Sequence, residues 1–520
     1  MSPRNTSGRG GGRHKSGRHS HSTSGRTARH GGSHGPSHRE SAAEPSPLVG
    51  RVVELHIDTL ALGGAGVARL PETIEGLEDF TGAGMAVFVD GALPGSTVRA
   101  RITQVHRRHA EALAVETLSP SSEAAAPACP HFLPEGGLCG GCPLQDLDPA
   151  RQLAWKERQI LEALRRIGKI EPQTVLPAVA APKTYRFRNK MEFAFQGSGE
   201  ALRLGLYSRR DPGRVVGLSC CHLLPEAGED ILLAVGKRCR QAGLYALDRK
   251  NGEGYLRHLV LRHSTHQGAL LAQLLTTPGS ESQARMVREL GEALLAEFPQ
   301  LKTFVHAERS RIDGLAQAER TLLTLGASAL EERLEDVRYA ISADAFFQTS
   351  TSGALALYSA LRTLADLTPT DTVFDLYCGG GGIALFLARH AGRVLGLEAN
   401  PAAIADAEAN AKLNNAASCR FLRAELAGDA PLPERLPEGF ERPDVVVVDP
   451  PREGLDQGVV RWLLKERPTR LVYVSCNPAT LARDAGLLAE GFTLSAVQAV
   501  DLFPHTAHAE CLALFEPLAG

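Results

Sequence analysis

The chemistry in this sequence is concentrated in a few short stretches. Val474-Ser475-Cys476-Asn477-Pro478 puts a thiol at the end of an apolar run, and the Asn-Pro behind it breaks a strand and aims Cys476 outward. A thiolate placed there is a nucleophile, with a packed core thiol as the plain alternative. Near the C-terminus, Glu510 opens a final apolar run behind a turn holding Phe503, Pro504, His505 and His508. A carboxylate that shares a sheet edge with a nucleophile can serve as a base. Cys129, Cys139 and Cys142 are spaced C-x9-C-x2-C, and Ser219-Cys220-Cys221-His222 adds a distant thiol. Such a group reads as a closed metal site, zinc or iron–sulfur, and the spacing does not choose between them. Cys239, Cys378, Cys419 and Cys511 read as ordinary core or strand cysteines.

A further stretch concerns a nucleotide-like ligand. The apolar run ending in Asp375-Leu376-Tyr377-Cys378 meets four glycines, Gly379 to Gly382, which let backbone approach a ligand closely. Glu398, about twenty residues on and at the end of the next apolar run, can take two ribose hydroxyls. NAD and S-adenosylmethionine both fit that much.

These residues need a frame. From about Pro369 the sequence alternates strand-like and helix-like runs, which predicts a parallel sheet with crossover helices, and the last two runs predict an antiparallel hairpin closing its edge. Residues 48–118 show short alternating strands with Gly and Pro punctuation, the pattern of a small β-barrel. Residues 119–340 form a mixed α+β stretch with the Cys cluster, a helix near Ala150–Gly168 and a second helix near Glu281–Glu297. Residues 341–520 make the catalytic α/β domain. Tyr185 to Lys190 alternates aromatic and basic residues, which suits either stacking on unpaired bases or a plain edge strand.

Residues 1–47 are Gly, Ser, Arg and His with a net charge of +6, while the whole chain of 520 residues carries −2. They read as a disordered basic arm, with their His a solvated feature rather than a metal site, and the basic arm hints at a polyanionic partner. No apolar run reaches the ~18 residues needed to span a bilayer, and the first thirty residues lack a signal peptide's apolar core. Ten Cys are too few for a disulfide scaffold of this size. A cytoplasmic monomer is expected.

Two resemblances sharpen these readings. The Gly63-Gly64-Ala65-Gly66-Val67-Ala68 turn, the run Val87 to Gly95 and the basic stretch behind it resemble the TRAM domain, an OB-like RNA-binding barrel. In that reading Arg99, Arg101, Arg107 and Arg108 contact phosphates. Phe346-Phe347-Gln348, the Tyr377–Gly382 stretch, Val446 to Arg452 with its Asp449-Pro450-Pro451, Val474 to Asp484 and Phe503 to Glu510, in this order, resemble the RNA uracil-5-methyltransferase family.

The family resemblance implies a Rossmann-like methyltransferase domain with Cys476 as nucleophile and Glu510 as base. It implies S-adenosylmethionine contacts from Gln348, Tyr377, Glu398 and Asp449, and less directly from Gly382 and Glu425. It also implies a 4Fe-4S cluster on Cys129, Cys139, Cys142 and Cys221, with one of the adjacent Cys220–Cys221 pair facing it. Two positions depart from the family pattern: Gly382 and Ser350 stand where relatives have Asn.

The residue types suit the chemistry. Carbon 5 of uracil is too weak a nucleophile to take a methyl from a sulfonium unless a low-pKa thiol first adds to carbon 6, and a base must then remove the carbon 5 proton. By analogy with relatives that carry both barrel and cluster, 23S ribosomal RNA is favoured over transfer RNA. A radical S-adenosylmethionine enzyme would need a CxxxCxxC trio, and a cytosine-5 methyltransferase a Pro-Cys dipeptide; neither is present. A non-catalytic RNA-binding or assembly factor stays as the alternative from another class.

Overall fold

The computed structural model describes residues 46–77 and 82–518. Apart from its last two residues, the expected arm of residues 1–47 lies outside them. Among the described residues, no helix is long and apolar enough to cross a membrane.

The first part is a six-stranded sheet in the order Val52–His56, Thr97–Val105, His109–Ser119, Ala86–Asp90, Gly66–Arg69, Thr59–Leu60. Its strands alternate buried and exposed residues, so Val53, Leu55, Val87, Val89, Val98, Ala100 and Ile102 fill one interior. Gly66 is required where it stands: a Cβ there would lie 2.8 Å from the Ala92 carbonyl oxygen. Arg99, Arg101, Arg107 and Arg108 are all exposed on this part.

A seven-stranded sheet follows, in the order Val215–Gly217, Arg203–Tyr207, Lys190–Gln196, Leu256–Ser264, Ala269–Thr276, Leu301–Glu308, Arg320–Gly326. Helices Glu226–Gln241 and Glu281–Glu297 cover one face through Ile231, Val235, Val287 and Leu294. The second helix has the bounds its periodicity predicts. Ser280 and Gln283 cap its start reciprocally.

The C-terminal sheet has eight strands, ordered Cys419–Arg423, Arg393–Glu398, Thr372–Leu376, Val445–Val448, Arg470–Ser475, Glu510–Pro517, Phe492–Val500, Thr174–Val175. The first five are parallel, and Glu510–Pro517 runs antiparallel between its neighbours. The expected closing hairpin is present, but it is not the edge. Thr174–Val175, from far earlier in the chain, pairs outside it. Helix Pro149–Ala163 also packs here, with Ile160 and Ala163 against Leu481, Ala482 and Ala485. Pieces of the 119–340 stretch thus buttress the sheet that carries Cys476.

Candidate active site and thiol cluster

Parallel strands deliver their carboxyl ends to one edge, and here those ends are Tyr377, Glu398, Asp449 and Cys476. An antiparallel strand begins where parallel ones finish, so Glu510 starts at that same edge, with Cys511 beside Ser475. Local chemistry fixes the Cys476 turn. Asn477 caps helix Pro478–Leu488 through the Ala479 amide (3.1 Å), Pro478 occupies its first position, and the Asn477 amide nitrogen donates to the Arg452 carbonyl at 2.9 Å. The Val-Ser-Cys-Asn-Pro and Asp-Pro-Pro-Arg stretches are therefore bound directly to one another.

Electrostatics at this edge are dominated by exclusion of water. Burial pushes the Asp449 carboxyl up to about 7. Glu510, 7% exposed, is held well above the usual carboxylate range by burial and then by Asp449, against the pull of Arg452 and Lys156. The half-buried Cys476 thiol is pushed up to about 11 by burial, Glu510 and Asp449, with Arg452 opposing. The expectation of a low-pKa thiol is therefore corrected: burial disfavours the charge on sulfur, and two carboxylates nearby add to it.

Beneath Glu510 lies an ion pair. Lys156, 1% exposed, donates to Asp501 at 2.7 Å and to the Phe503 carbonyl at 2.9 Å. Arg452 approaches His508 Nδ1 at 3.2 Å, and burial together with Arg452, Arg188 and Lys156 lowers His508 to about 4, leaving it neutral.

Next to the edge is a cavity of about 550 Å³, lined by Gln348, Tyr377, Gly382 and Asp449 and also by Phe346, Asp406 and Asn410, which sequence reasoning missed. Phe346 is 68% exposed at its mouth, and an exposed aromatic beside the Gln was the signal to read. Glu398 accepts from the Gly379 amide at 3.2 Å and from the Asn400 amide at 2.8 Å, which holds its carboxylate against the glycine turn. Gly382 has a steric reason: a Cβ there would lie 2.6 Å from the Tyr358 hydroxyl, so the position offers backbone alone. Glu425 is not brought to the cavity. It is exposed and pairs with Arg423 at 2.9 Å, because the chain leaves the sheet at Arg423 and only Ala424 and Leu426 turn inward.

Cys129, Cys139, Cys142 and Cys221 line a second cavity of about 360 Å³, walled by Phe132, Leu206, Leu218 and Leu223. Cys220 lines it too, contrary to the expectation that one of the adjacent pair would face away. Burial and the neighbouring thiols raise Cys142 and Cys221 to about 12. The ligand atoms of Cys129, Cys220 and His222 lie within 4.8 Å of one another. A largely apolar pocket that gathers five thiols is chemically matched to a soft, multi-positive metal group, since thiolates crowded there need cationic charge to exist.

The Tyr185–Lys190 stretch is neither a free stacking surface nor an edge strand. Tyr185 stacks on His505 with centroids 4.4 Å apart, Arg186 donates to the Leu224 carbonyl, and Arg188 lies over the Phe503 ring at 4.6 Å while donating to Thr349. It straps the thiol loop to the catalytic edge.

Comparison with known proteins agrees with this layout. A family described as tRNA (Uracil-5-)-methyltransferase matches residues 272–517, and the TRAM domain matches residues 48–115. An uncharacterized RNA methyltransferase of Nitratidesulfovibrio vulgaris is 38% identical over 466 residues, 89% of this chain and 96% of that protein. One of Chlorobaculum tepidum is 36% identical over 453 residues, 84% and 92% of the two chains. Among solved structures, the Pyrococcus abyssi tRNA (uracil-54, C5)-methyltransferase in complex with S-adenosyl-L-homocysteine shares the fold, with TM-score 0.67, 24% identity, and coverage of 89% of this chain and all of that one. With a TRAM barrel in front and a parallel sheet edge bearing Asp449, Cys476 and Glu510 behind, the chain belongs to the tRNA (uracil-5-)-methyltransferase family of RNA methyltransferases.

Proposed function

We propose that the chain methylates carbon 5 of a uridine in structured RNA, with Cys476 as nucleophile and Glu510 as base. The observation that carries this reading is the convergence of Cys476, Glu510 and Asp449 on one sheet edge, close enough to shift one another's protonation, beside the Gln348–Tyr377 cavity. S-adenosylmethionine is the proposed occupant of that cavity, held by Gln348, Tyr377, Glu398 and Asp449 with backbone from Gly382, and it would supply a methyl on a sulfonium.

The steps assigned to the protein balance. The Cys476 thiol gives its proton to water, the thiolate sulfur bonds to carbon 6, and the carbon 5–carbon 6 π pair moves to carbon 5, which becomes nucleophilic. Once carbon 5 is methylated, the Glu510 carboxylate removes its proton, the pair returns to the ring, and Cys476 departs as thiolate. A base attacked on its face must leave its stack to reach Cys476.

Cys129, Cys139, Cys142 and Cys221 are proposed to hold a 4Fe-4S cluster whose contribution is to brace the loop they stand on. Ribosomal RNA of the large subunit is the proposed substrate, supported by the pairing of barrel and thiol cluster in one chain. Incubating the enzyme with 23S ribosomal RNA and with transfer RNA from a deletion strain, then analysing nucleosides by mass spectrometry, tests both points. New 5-methyluridine in 23S RNA is expected. Appearance in transfer RNA alone moves the substrate, and unchanged turnover by Cys476→Ala removes the mechanism.

A further inference from the structure

A further cavity is distinct from both of those above. It is a solvent-open cleft of about 1470 Å³ at one end of the seven-stranded sheet, between the turn around Arg249 and the loop around Asp313. Its rim and floor differ in character. Tyr245 stands at the rim 45% exposed, a large ring with no packing role that explains its position. Beside it Arg249 and Lys250 are exposed on a turn, with Arg249 donating to the Tyr207 hydroxyl at 2.7 Å.

The floor holds His258, 5% exposed, whose Nδ1 has no hydrogen-bond partner. Burial and the flanking Arg257 and Arg249 lower that imidazole to about 4, so it is neutral and can meet a polar ligand edge as donor or acceptor. An unpaired polar atom in a buried floor costs stability unless something satisfies it. The far wall is rigid: Arg257 donates to the carbonyls of Arg311 (2.6 Å) and Asp313 (2.9 Å), and Asp313 is bound to Arg309 as well. Asp313 is thereby neutralised by two guanidinium groups. Asp248 accepts the Lys250 backbone amide and keeps its charge, so Asp248 and Glu253 are the acidic groups that line the cleft with Arg249 and Lys250.

An exposed ring, two exposed cations beside it and a hydrogen-bonding floor are what an unpaired nucleotide requires. The fold also connects the cleft to the catalytic edge. Strand Lys190–Gln196 ends in the cleft at Gln196, and at its other end Asn189 donates to the Gln348 carbonyl at 2.8 Å. The seven steps from Asn189 to Gln196 span about 23 Å, at ~3.3 Å per residue.

We propose that this cleft is a second RNA subsite, which takes an unpaired nucleotide of the substrate other than the one presented to Cys476: base stacked on Tyr245, phosphate on Arg249 and Lys250, base edge on His258. The proposal rests on RNA as substrate but not on the methylation chemistry. It gives the enzyme a way to select its site by a feature some nucleotides away from the target.

The test uses the full chain and a short fluorescein-labelled oligouridylate, followed by anisotropy. Tyr245→Ala should weaken binding about tenfold and Tyr245→Phe should restore it, since the face of the ring is what matters. Joint replacement of Arg249 and Lys250 by Ala should weaken binding and flatten its dependence on salt. An oligouridylate bearing 4-thiouridine, irradiated with the wild-type protein, should crosslink to the peptide spanning Tyr245 to His258. Wild-type affinity in Tyr245→Ala, with every crosslink falling outside that peptide, overturns the subsite. Because none of these readouts needs methyl transfer, a missing 5-methyluridine product would overturn the catalytic reading and leave this one standing.

Discussion

Burial and the carboxylates of Glu510 and Asp449 disfavour the Cys476 thiolate, against the pull of Arg452 and of a backbone hydrogen bond. Reactivity of the free site should follow the thiol's ionisation. Alkylation of Cys476 by iodoacetamide, read by peptide mass spectrometry, is expected to be slow at neutral pH and to climb about tenfold per pH unit toward about 11. A plateau near neutrality would show a thiolate already formed. Glu510 carries the complementary cost. Its folded-state carboxyl titrates above its ordinary value, so the folded state holds that proton more tightly, and stability falls as pH rises from the ordinary carboxylate range through the folded value. Glu510→Gln removes the charge, and should stabilise the protein by about 1 kcal/mol at neutral pH while trapping the RNA adduct. Denaturant melts at acid and neutral pH check it, and the gain should vanish at acid pH. Cys476 and Glu510 were legible because motif and strand order fix them locally. Their protonation was not, since it depends on Asp449 and Lys156 arriving from other elements. Glu425 fails for a related reason: the sequence places it after the right strand, but the chain has already turned away.

At the scale of elements, the catalytic turn between Asp501 and Glu510 is held from below by helix Pro149–Ala163. Lys156 reaches Asp501 and the Phe503 carbonyl, and Gln152 bonds the Leu144 and Leu147 carbonyls, His505 Nδ1 and the His505 amide. Both side chains are buried, so removal of one partner strands the rest. Lys156→Met leaves the Asp501 carboxylate buried without its cation and should cost about 3–5 kcal/mol, with part recovered when Asp501→Asn is added. Urea melts of the single and double variants decide; equal loss in both would mean that Lys156 acts through packing alone. His505 itself has φ 63, a left-handed conformation that a bulky residue adopts only when neighbours hold it there. Helix Glu281–Glu297 was readable close to its observed bounds because a regular apolar stripe marks it, and the structure adds a capping box at its start. The edge strand Thr174–Val175 was not, because two residues carry no periodicity and their partner, Ala496–Val497, lies more than three hundred positions away.

The whole molecule meets at one small cluster. Leu60 and Leu93 from the barrel, Leu144 and Leu147 from the end of the thiol loop, Trp155 from the helix and Ala507 from the catalytic turn pack together, and Trp155 donates its indole N–H to the Leu60 carbonyl at 3.2 Å. The barrel's glycine turn comes close enough that a Cβ on Gly64 would lie 3.2 Å from Leu144 and 3.5 Å from Ala507. Leu144 stands two residues after Cys142, so whatever fixes the thiols also fixes this packing. A chain with one RNA-binding barrel and one catalytic sheet thus has its thiol loop as the wedge between them, and a metal group held there, as proposed, would brace that junction. Anaerobically purified protein should be brown and hold roughly four irons, and iron removal should loosen Leu144 and Leu147 from the indole. In a Trp462→Phe background, where Trp155 is the remaining tryptophan, stripping the metal is expected to red-shift the emission, and Cys129→Ser should reproduce the shift without chelator. Lost iron with unchanged emission would separate the thiol site from the junction, and zinc in place of iron would change the identity of the group. The wedge explains the site as architecture; if it is right, barrel, cluster and catalytic turn should loosen together when the metal leaves.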